Sequence, residues 1–338
     1  MLKSIHIKHF RLFNDLKIEQ LSRVNLIAGE NNSGKTALLE AIHLLFADFV
    51  SFTDLASAFR SSSPTSLEDT KLSNEDEFES FWLWLRHKDK SGRLIELEAA
   101  DDKGISYTHR QIYEVESAIK FERFEDGRRI SGYKVSKAAG YLASDEGDHF
   151  TWPSSAIFST SLSNPIEDAD HFNRIAAKRG GDERVVKLLQ IIEPRLQDLK
   201  YLKLGSQPLI YADIGMEDLI PTTQLGQGFT RLLRLYSEIL LAKSKIILID
   251  EIENGIHYTA MPKVWKGIAA IAREEDLQVF ATTHSYECIR YAHEAFSSDS
   301  VYDLALHRLE RDDLGDVQVV TLNRESLDTS FEMEWEVR

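Results

Sequence analysis

Cys288 is the only cysteine among 338 residues, which excludes an internal disulfide framework and fits a reducing compartment. No uninterrupted apolar run approaches the ~18 residues that a membrane span needs. The start MLKSIHIKHF alternates like a strand and lacks the apolar core of a secretion signal. A cytoplasmic protein with no membrane partner is therefore expected. Positive charge is also scarce, with 40 Lys and Arg against 55 Asp and Glu and a formal net charge of −15. Non-specific DNA binding draws its affinity from phosphate neutralisation, so a chain this acidic should repel a polyanion. DNA contact stays open only through a local patch such as Lys178, Arg179, Arg184, Lys187 and Arg195, and a solvated helix face is the simpler reading there. Internal repeats and the long a/d heptads of a coiled coil are missing too. What remains, at 43% hydrophobic and 28% charged residues, is a globular chain able to bury one large or two modest cores.

The most informative stretch present is Gly29-Glu30-Asn31-Asn32-Ser33-Gly34-Lys35-Thr36, a complete G-x-x-x-x-G-K-[ST] loop. Arg23 to Ala28 reads as a short buried strand leading into it. Leu38, Leu39, Ile42, Leu45, Phe46 and Phe49 then carry the spacing of one helical face. Strand, glycine-rich turn and helix form the context that makes this pattern a physical phosphate site. Gly29 and Gly34 let the backbone curl so that successive N–H groups point at phosphate oxygens, and the helix N-terminus adds partial positive charge. Lys35 is expected to reach the β- and γ-phosphates and the Thr36 hydroxyl to ligate Mg²⁺.

Three further elements follow some 200 residues later. Ile246 to Ile249 precede Asp250-Glu251, a buried strand ending in two carboxylates. Beside a phosphate loop this is a Walker B pattern, with Asp250 in the Mg²⁺ shell and Glu251 orienting and deprotonating the attacking water. Phe280-Ala281-Thr282-Thr283-His284-Ser285 sets a histidine directly after another buried strand. A neighbour of a helix cap is the plain reading; after a Walker B strand, a sensor that hydrogen-bonds the terminal phosphate is preferred. Leu225-Gly226-Gln227-Gly228 opens a helix and reads as a second anion site, a flexible helix start being the plainer alternative. One chain does not need two for one triphosphate, but two chains facing head to tail could each close this turn on the other's γ-phosphate. No N-K-x-D base reader is evident, so ATP is favoured over GTP. Asn254 to Tyr258 reads as the stretch after Walker B along a dimer seam, not a metal site with His284. Cys288 reads as a small packed residue.

Around these motifs, residues 3–8 and 17–28 read as strands. Residues 61–80 read as a Ser-rich, acidic linker, and 81–135 as hairpins with strand-like runs at 81–86, 93–98, 119–124 and 130–135. Residues 166–203 look mainly helical, with Val185, Leu188, Leu189, Ile192 and Leu196 on one face. An alternating pattern then returns: helix 229–243, strand 245–250, helix 259–273, strand 277–282, helix 284–296, and a strand pair at 301–309 and 317–322. The expected fold is α/β, a P-loop NTPase with a split core. Residues 1–60 and 206–338 form the ATPase parts, and 61–205 a linker with a β-hairpin-rich and helical insertion.

In this order the four elements resemble the ABC-type ATPases of the SMC, RecF and OLD group, and more narrowly its stand-alone, OLD-like AAA ATPases. The carriers are IHIKHFRLFNDLKI, VNLIAGENNSGKTALLEAI, LIDEIENGIHY, FATTHSYECI and the closing EVR. The resemblance covers about residues 1–50 and 205–338. It implies an ABC/SMC-head fold in which Gly29 to Thr36 are Walker A, Asp250 and Glu251 Walker B, and His284 the switch histidine. By the same resemblance LGQG at 225–228 is the signature acting in trans, although Gly226 stands where the family has a serine, so that backbone N–H groups and Gln227 would replace its hydroxyl. Arg11 matches a basic residue that approaches the nucleotide. OLD proteins carry a C-terminal TOPRIM nuclease, for which the roughly 50 residues after His284 leave no room. The resemblance thus implies a slow or regulated ATPase, a homodimer or higher assembly closing on ATP, and a separate effector, nuclease or toxin, in antiphage defence. A RecF-like repair ATPase contacting DNA directly is the alternative. An ABC transporter subunit fits poorly with the split core and altered signature.

Overall fold

The computed structural model describes residues 1–46, 94–114, 118–136, 143–145, 155–158, 164–241, 244–313, 315–333 and 337. The expected linker at 61–80 and strand-like run at 81–86 lie outside the described residues. In chain order the elements are β1 (Leu2–Phe10), β2 (Phe13–Ile18), β3 (Val24–Gly29), α1 (Lys35–Phe46), β4 (Leu94–Asp101), β5 (Ser106–Glu114), β6 (Ala118–Glu125), β7 (Arg128–Ser136), β8 (Ala143–Asp145) and β9 (Ser155–Phe158). There follow α2 (Pro165–Ala176), α3 (Gly181–Leu189), β10 (Asp198–Leu202), β11 (Leu209–Asp213), β12 (Ile220–Pro221), α4 (Gln227–Leu241) and β13 (Ile246–Ile249). The chain continues through α5 (Met261–Glu274), β14 (Gln278–Thr282), α6 (Tyr286–Ser297), β15 (Leu304–Arg311), β16 (Val317–Leu322) and α7 (Arg324–Glu332).

A six-stranded sheet in the order β16-β15-β3-β14-β13-β9 forms the centre. Its strands are parallel except for β16, an antiparallel edge on β15. Because successive side chains alternate between faces, each central strand serves two cores. Val24, Leu26, Ala28, Ile247, Ile249, Val279 and Ala281 face one core with Leu232 and Tyr236 of α4, Trp265 and Ile268 of α5, and Ile289 and Phe296 of α6. Ile27, Ile246, Leu248 and Phe280 face the other, with α1 and the inner side of a second sheet. Burial on both faces explains why β13 reads as an unbroken apolar run and why every residue of β3 and β14 is buried, the polar Asn25 and Gln278 included. Residues Ala37 to Phe46 of α1 are all buried, so this helix is apolar nearly all round rather than amphipathic.

The second sheet is seven-stranded and antiparallel, in the order β2-β1-β4-β5-β6-β7-β8. Strands from the expected insertion therefore continue the sheet that β1 and β2 begin, while β9 extends the central sheet beside β13. A small sheet, β10-β11-β12, leads into α4.

Several sequence expectations are corrected. Residues 17–28 are two strands, because exposed Glu19 and Gln20 carry the chain from one sheet to the other. The face traced to Leu196 stops with α3 at Leu189, before Pro194, which disfavours helix at Glu193. Residues 198–202 pair with β11 as a strand, and β5 and α7 were not foreseen. Of the closing EVR only Val337 is described, and it is buried.

Candidate nucleotide site

The phosphate loop spans the C-terminal end of β3 and the first turn of α1, and its glycines are required by geometry. Gly29 has φ +145°, and a Cβ there would lie 2.6 Å from the Leu309 carbonyl oxygen and 2.7 Å from Ser33 Oγ. Gly34 has φ +104°, with the Phe13 ring 3.0 Å from where a Cβ would stand. Exposed Asn32 is left-handed at φ 62°, and Arg311 at the end of β15 donates to its carbonyl at 2.7 Å. Glu30 and Asn31 are exposed, Ser33 buried. The Lys35 ammonium donates to the carbonyls of Gly29 and Glu30, each at 2.8 Å, and burial pulls its pKa down against the opposing charges of Asp250, Glu253 and Glu251.

Thr36 Oγ1 donates to Asp250, 3.3 Å from Oδ1 and 3.1 Å from Oδ2. Thr282, at the end of β14, donates its hydroxyl to Asp250 Oδ1 at 2.5 Å, and its oxygen accepts the Glu251 N–H at 2.8 Å. Burial pushes the Asp250 carboxyl up, opposed by these two hydroxyls. A desolvated carboxylate beside a threonine hydroxyl is the hard-oxygen donor set that Mg²⁺ takes together with nucleotide phosphates. The residues present thus fit both ligands: the oxygens suit a divalent cation, and the half-buried ammonium within a glycine-shaped cradle suits a polyphosphate.

Glu251 is itself left-handed, with φ 48°. Such a conformation costs a non-glycine residue about 1–3 kcal/mol and persists only where surrounding bonds over-determine it. Here they do. Its N–H goes to Thr282, its carbonyl accepts from Arg231 Nη2 at 2.7 Å, and Asn254 Nδ2 donates to its carboxylate. Arg231 sits on α4, and burial lowers it to about 10. The turn then folds back onto β14: Ile252 N–H reaches the Thr282 carbonyl at 3.1 Å, and the Ile252 side chain is buried. That fold brings Glu253 Oε1 to 2.9 Å from the main-chain nitrogen of His284 and 3.1 Å from its Nδ1.

Gly226 is left-handed at φ 93° with open space around it, while Gly228 lies against the Gly255 carbonyl, 3.2 Å from where a Cβ would stand. Gln227 begins α4. The N-terminus of α4 thus abuts the turn after Walker B of its own chain. Arg11 Nε lies 2.6 Å from Oε2 of fully buried Glu40 on α1, an ion pair that ties the β1–β2 turn to the helix behind the phosphate loop. Cys288 is buried, and its thiol is pushed up to about 12, so it packs rather than reacts. Of the candidate basic patch, Arg184 pairs with Glu274 and Glu275, and Arg195 with Glu193. No cluster of three or more His, Cys, Asp or Glu side chains able to hold a metal ion occurs among the described residues, and no described helix is long and apolar enough to cross a membrane.

The fold brings the sequence candidates Lys35, Thr36, Asp250, Glu251 and His284 to the C-terminal edge of β3, β13 and β14. Thr282, Arg231, Glu253 and the Asn254 side chain join them without being candidates from the sequence. The acidic spacing of Asp250-Glu251-Ile252-Glu253 was a visible signal for Glu253; nothing local marks Arg231.

A parallel sheet carrying a glycine-cradled loop, with two carboxylates on a nearby strand end and a histidine after the strand between them, defines a P-loop NTPase of the ABC/SMC-head type. The fold is that of an SMC head bound to the C-winged helix domain of ScpA, at a TM-score of 0.57 and 14% identity over 97% of this chain and 99% of that one. An SMC head from Thermotoga maritima matches at 0.54 and 14% identity, covering 95% and 99%. Within this class the chain belongs to the family described as "AAA domain, putative AbiEii toxin, Type IV TA system", which matches residues 24–290. A protein of Helicobacter pylori named ATP/GTP phosphatase is 23% identical over 93% of each chain.

Proposed function

We propose that this protein is an ATP-hydrolysing switch whose two copies close on ATP and pass that closure to a separate effector protein. The observation that carries the reading is Glu251, held in a strained conformation by three independent bonds directly beside the Thr36–Asp250 pair. In this reading the loop N–H groups of residues 29–36 and Lys35 bind the β- and γ-phosphates. Thr36 and Asp250 hold Mg²⁺, which when bound neutralises phosphate charge. Glu251 takes the proton of the attacking water, and His284 meets the terminal phosphate. Gly226 to Gly228 present α4's N-terminus to the γ-phosphate of a second copy, and Arg11 supports the loop from behind.

The relative named ATP/GTP phosphatase supports hydrolysis, and the family's description, with its toxin and type IV TA system, supports a role in a toxin system. In our reading the effector is a separate toxin or nuclease, and the pair acts in antiphage defence in the cytoplasm. An SMC head bound to a domain of a second protein supports a fold able to carry a partner chain. We assign residues 1–60 and 206–338 to the ATPase core, with 61–205 as the segment available for effector contact.

The test is light scattering of wild type and Glu251→Gln with and without ATP·Mg²⁺. The Gln variant should form or tighten an ATP-dependent dimer that wild type leaves after hydrolysis. If neither changes mass with ATP, the trans role of 226–228 is lost and the chain is a constitutive scaffold.

A further inference from the structure

The geometry points to Glu253 as the residue that positions His284 for its contact with the terminal phosphate, a positioning role read from the fold of the turn after Walker B. One oxygen, Oε1, meets both the main-chain N–H of His284 at 2.9 Å and its Nδ1 at 3.1 Å. A hydrogen bond to the main chain and a close charge contact to the ring, both made by one atom, fix the position of the residue and bias the orientation of its ring. The contact is long-range in sequence and built by the fold: Ile252 and Asn254 pin the turn on either side of Glu253, through the Thr282 carbonyl and the Glu251 carbonyl.

The carboxylate is 13% exposed and the imidazole 50% exposed, so the positioning group is buried and the positioned group faces outward. The other oxygen, Oε2, is buried without a hydrogen bond among the described residues. A carboxylate oxygen 3.1 Å from a ring nitrogen is favourable when that nitrogen carries a proton, because two facing lone pairs would repel, so the contact favours the proton on Nδ1. His284 then presents Nε2 alone towards a nucleotide: as a lone pair to the attacking water or, carrying a second proton, as a donor to the phosphate. This is the orientation logic of a histidine whose second nitrogen is held by a carboxylate.

The inference rests on the proposed role of His284, and the experiment separates the two. ATP turnover of the full chain is measured for Glu253→Ala, Glu253→Gln, His284→Ala and the double variant Glu253→Ala/His284→Ala. Glu253→Ala should lower kcat about 10- to 100-fold with KM for ATP within about twofold, the range seen when an oriented histidine loses its outer partner. Glu253→Gln keeps an acceptor oxygen and should restore most of that loss. In the His284→Ala background, removal of Glu253 should cost nothing more. Additive losses, or an unchanged kcat in Glu253→Ala while His284→Ala is slow, overturn the inference alone; a fully active His284→Ala overturns it together with the reading of His284.

A second measurement needs no variant at Glu253 to fold. Nitrogen-15 NMR of histidine-labelled wild type at pH 8, with His284 assigned by its loss in His284→Ala, should find its proton on Nδ1. A proton on Nε2 with Nδ1 bare overturns the inference whatever the kinetics give.

Discussion

Thr282 does two jobs with one hydroxyl: it donates to Asp250 Oδ1 and accepts the N–H of Glu251. Valine matches its shape but can do neither. Thr282→Val would leave the Glu251 N–H and one Asp250 oxygen short of a partner in a largely desolvated site, a loss of about 1–3 kcal/mol. It would also release the main chain of a residue already at positive φ. The expected outcome is a lower denaturant midpoint together with a fall in ATP turnover at least as large as that of any other conservative change on β14. Thr282→Ser, which keeps the hydroxyl, should recover turnover while stability recovers only in part. A Val variant with normal turnover would mean that the strain at Glu251 has no part in catalysis.

At the scale of the element, α4 connects the helix-opening glycines to Glu251 of the same chain, the proposed hydrolytic carboxylate. Arg231, one turn in, donates to the Glu251 carbonyl, and its Nη1 lies 3.6 Å from where a Cβ would stand on Gly255. In the proposed dimer, a shift of α4 as Gly226 to Gly228 engage a second copy would therefore be felt at Glu251 through one guanidinium. Arg231→Met keeps the stem's packing and removes the link. It should leave nucleotide affinity within about threefold yet lower dimer-stimulated turnover about tenfold, read as the loss of concentration dependence in kcat. The elements that carry this site were legible because their signals are local: an apolar run of Ile246 to Ile249 before Asp250, glycines at 29 and 34, a helical face from Leu38 to Phe46. The links between them were not, since Arg231 and Glu251 are 20 residues apart and meet only through the fold. The same limit applied to the sheets. Nothing local tells β4 to pair with β1 rather than close a hairpin within its own segment, whereas Pro194 was a visible stop that the apolar spacing through Leu196 outvoted.

For the whole molecule, the central sheet is buried on both faces, and its polar side chains must find partners inside it. His307 on β15 is the clearest case. It is fully buried, with Nδ1 3.0 Å from Thr321 Oγ1 on β16 and Nε2 3.2 Å from Asn25 Oδ1 on β3, so it stitches three adjacent strands of the sheet that carries the phosphate loop. Burial lowers it to about 4, and His109, buried beneath the seven-stranded sheet near Arg123, is lowered to about 3. Both are neutral in the folded chain at neutral pH, and both would take a proton near 6.5 once unfolded. Above pH 6.5 neither folded nor unfolded form binds that proton, and their contribution to stability is complete. Below it the unfolded chain binds protons that the folded chain refuses, so stability falls as pH drops from about 6.5 towards 4 for His307 and towards 3 for His109. At ~1.4 kcal/mol per pH unit, His307 alone accounts for a loss of the order of 3 kcal/mol. His307→Gln cannot titrate, whatever it does to absolute stability, so its unfolding free energy should fall less steeply with acid than that of wild type between pH 6.5 and 4. Urea unfolding at half-unit steps measures both slopes. Equal slopes would mean that His307 is already charged in the fold, and that the Asn25–His307–Thr321 stitch is an ionic one.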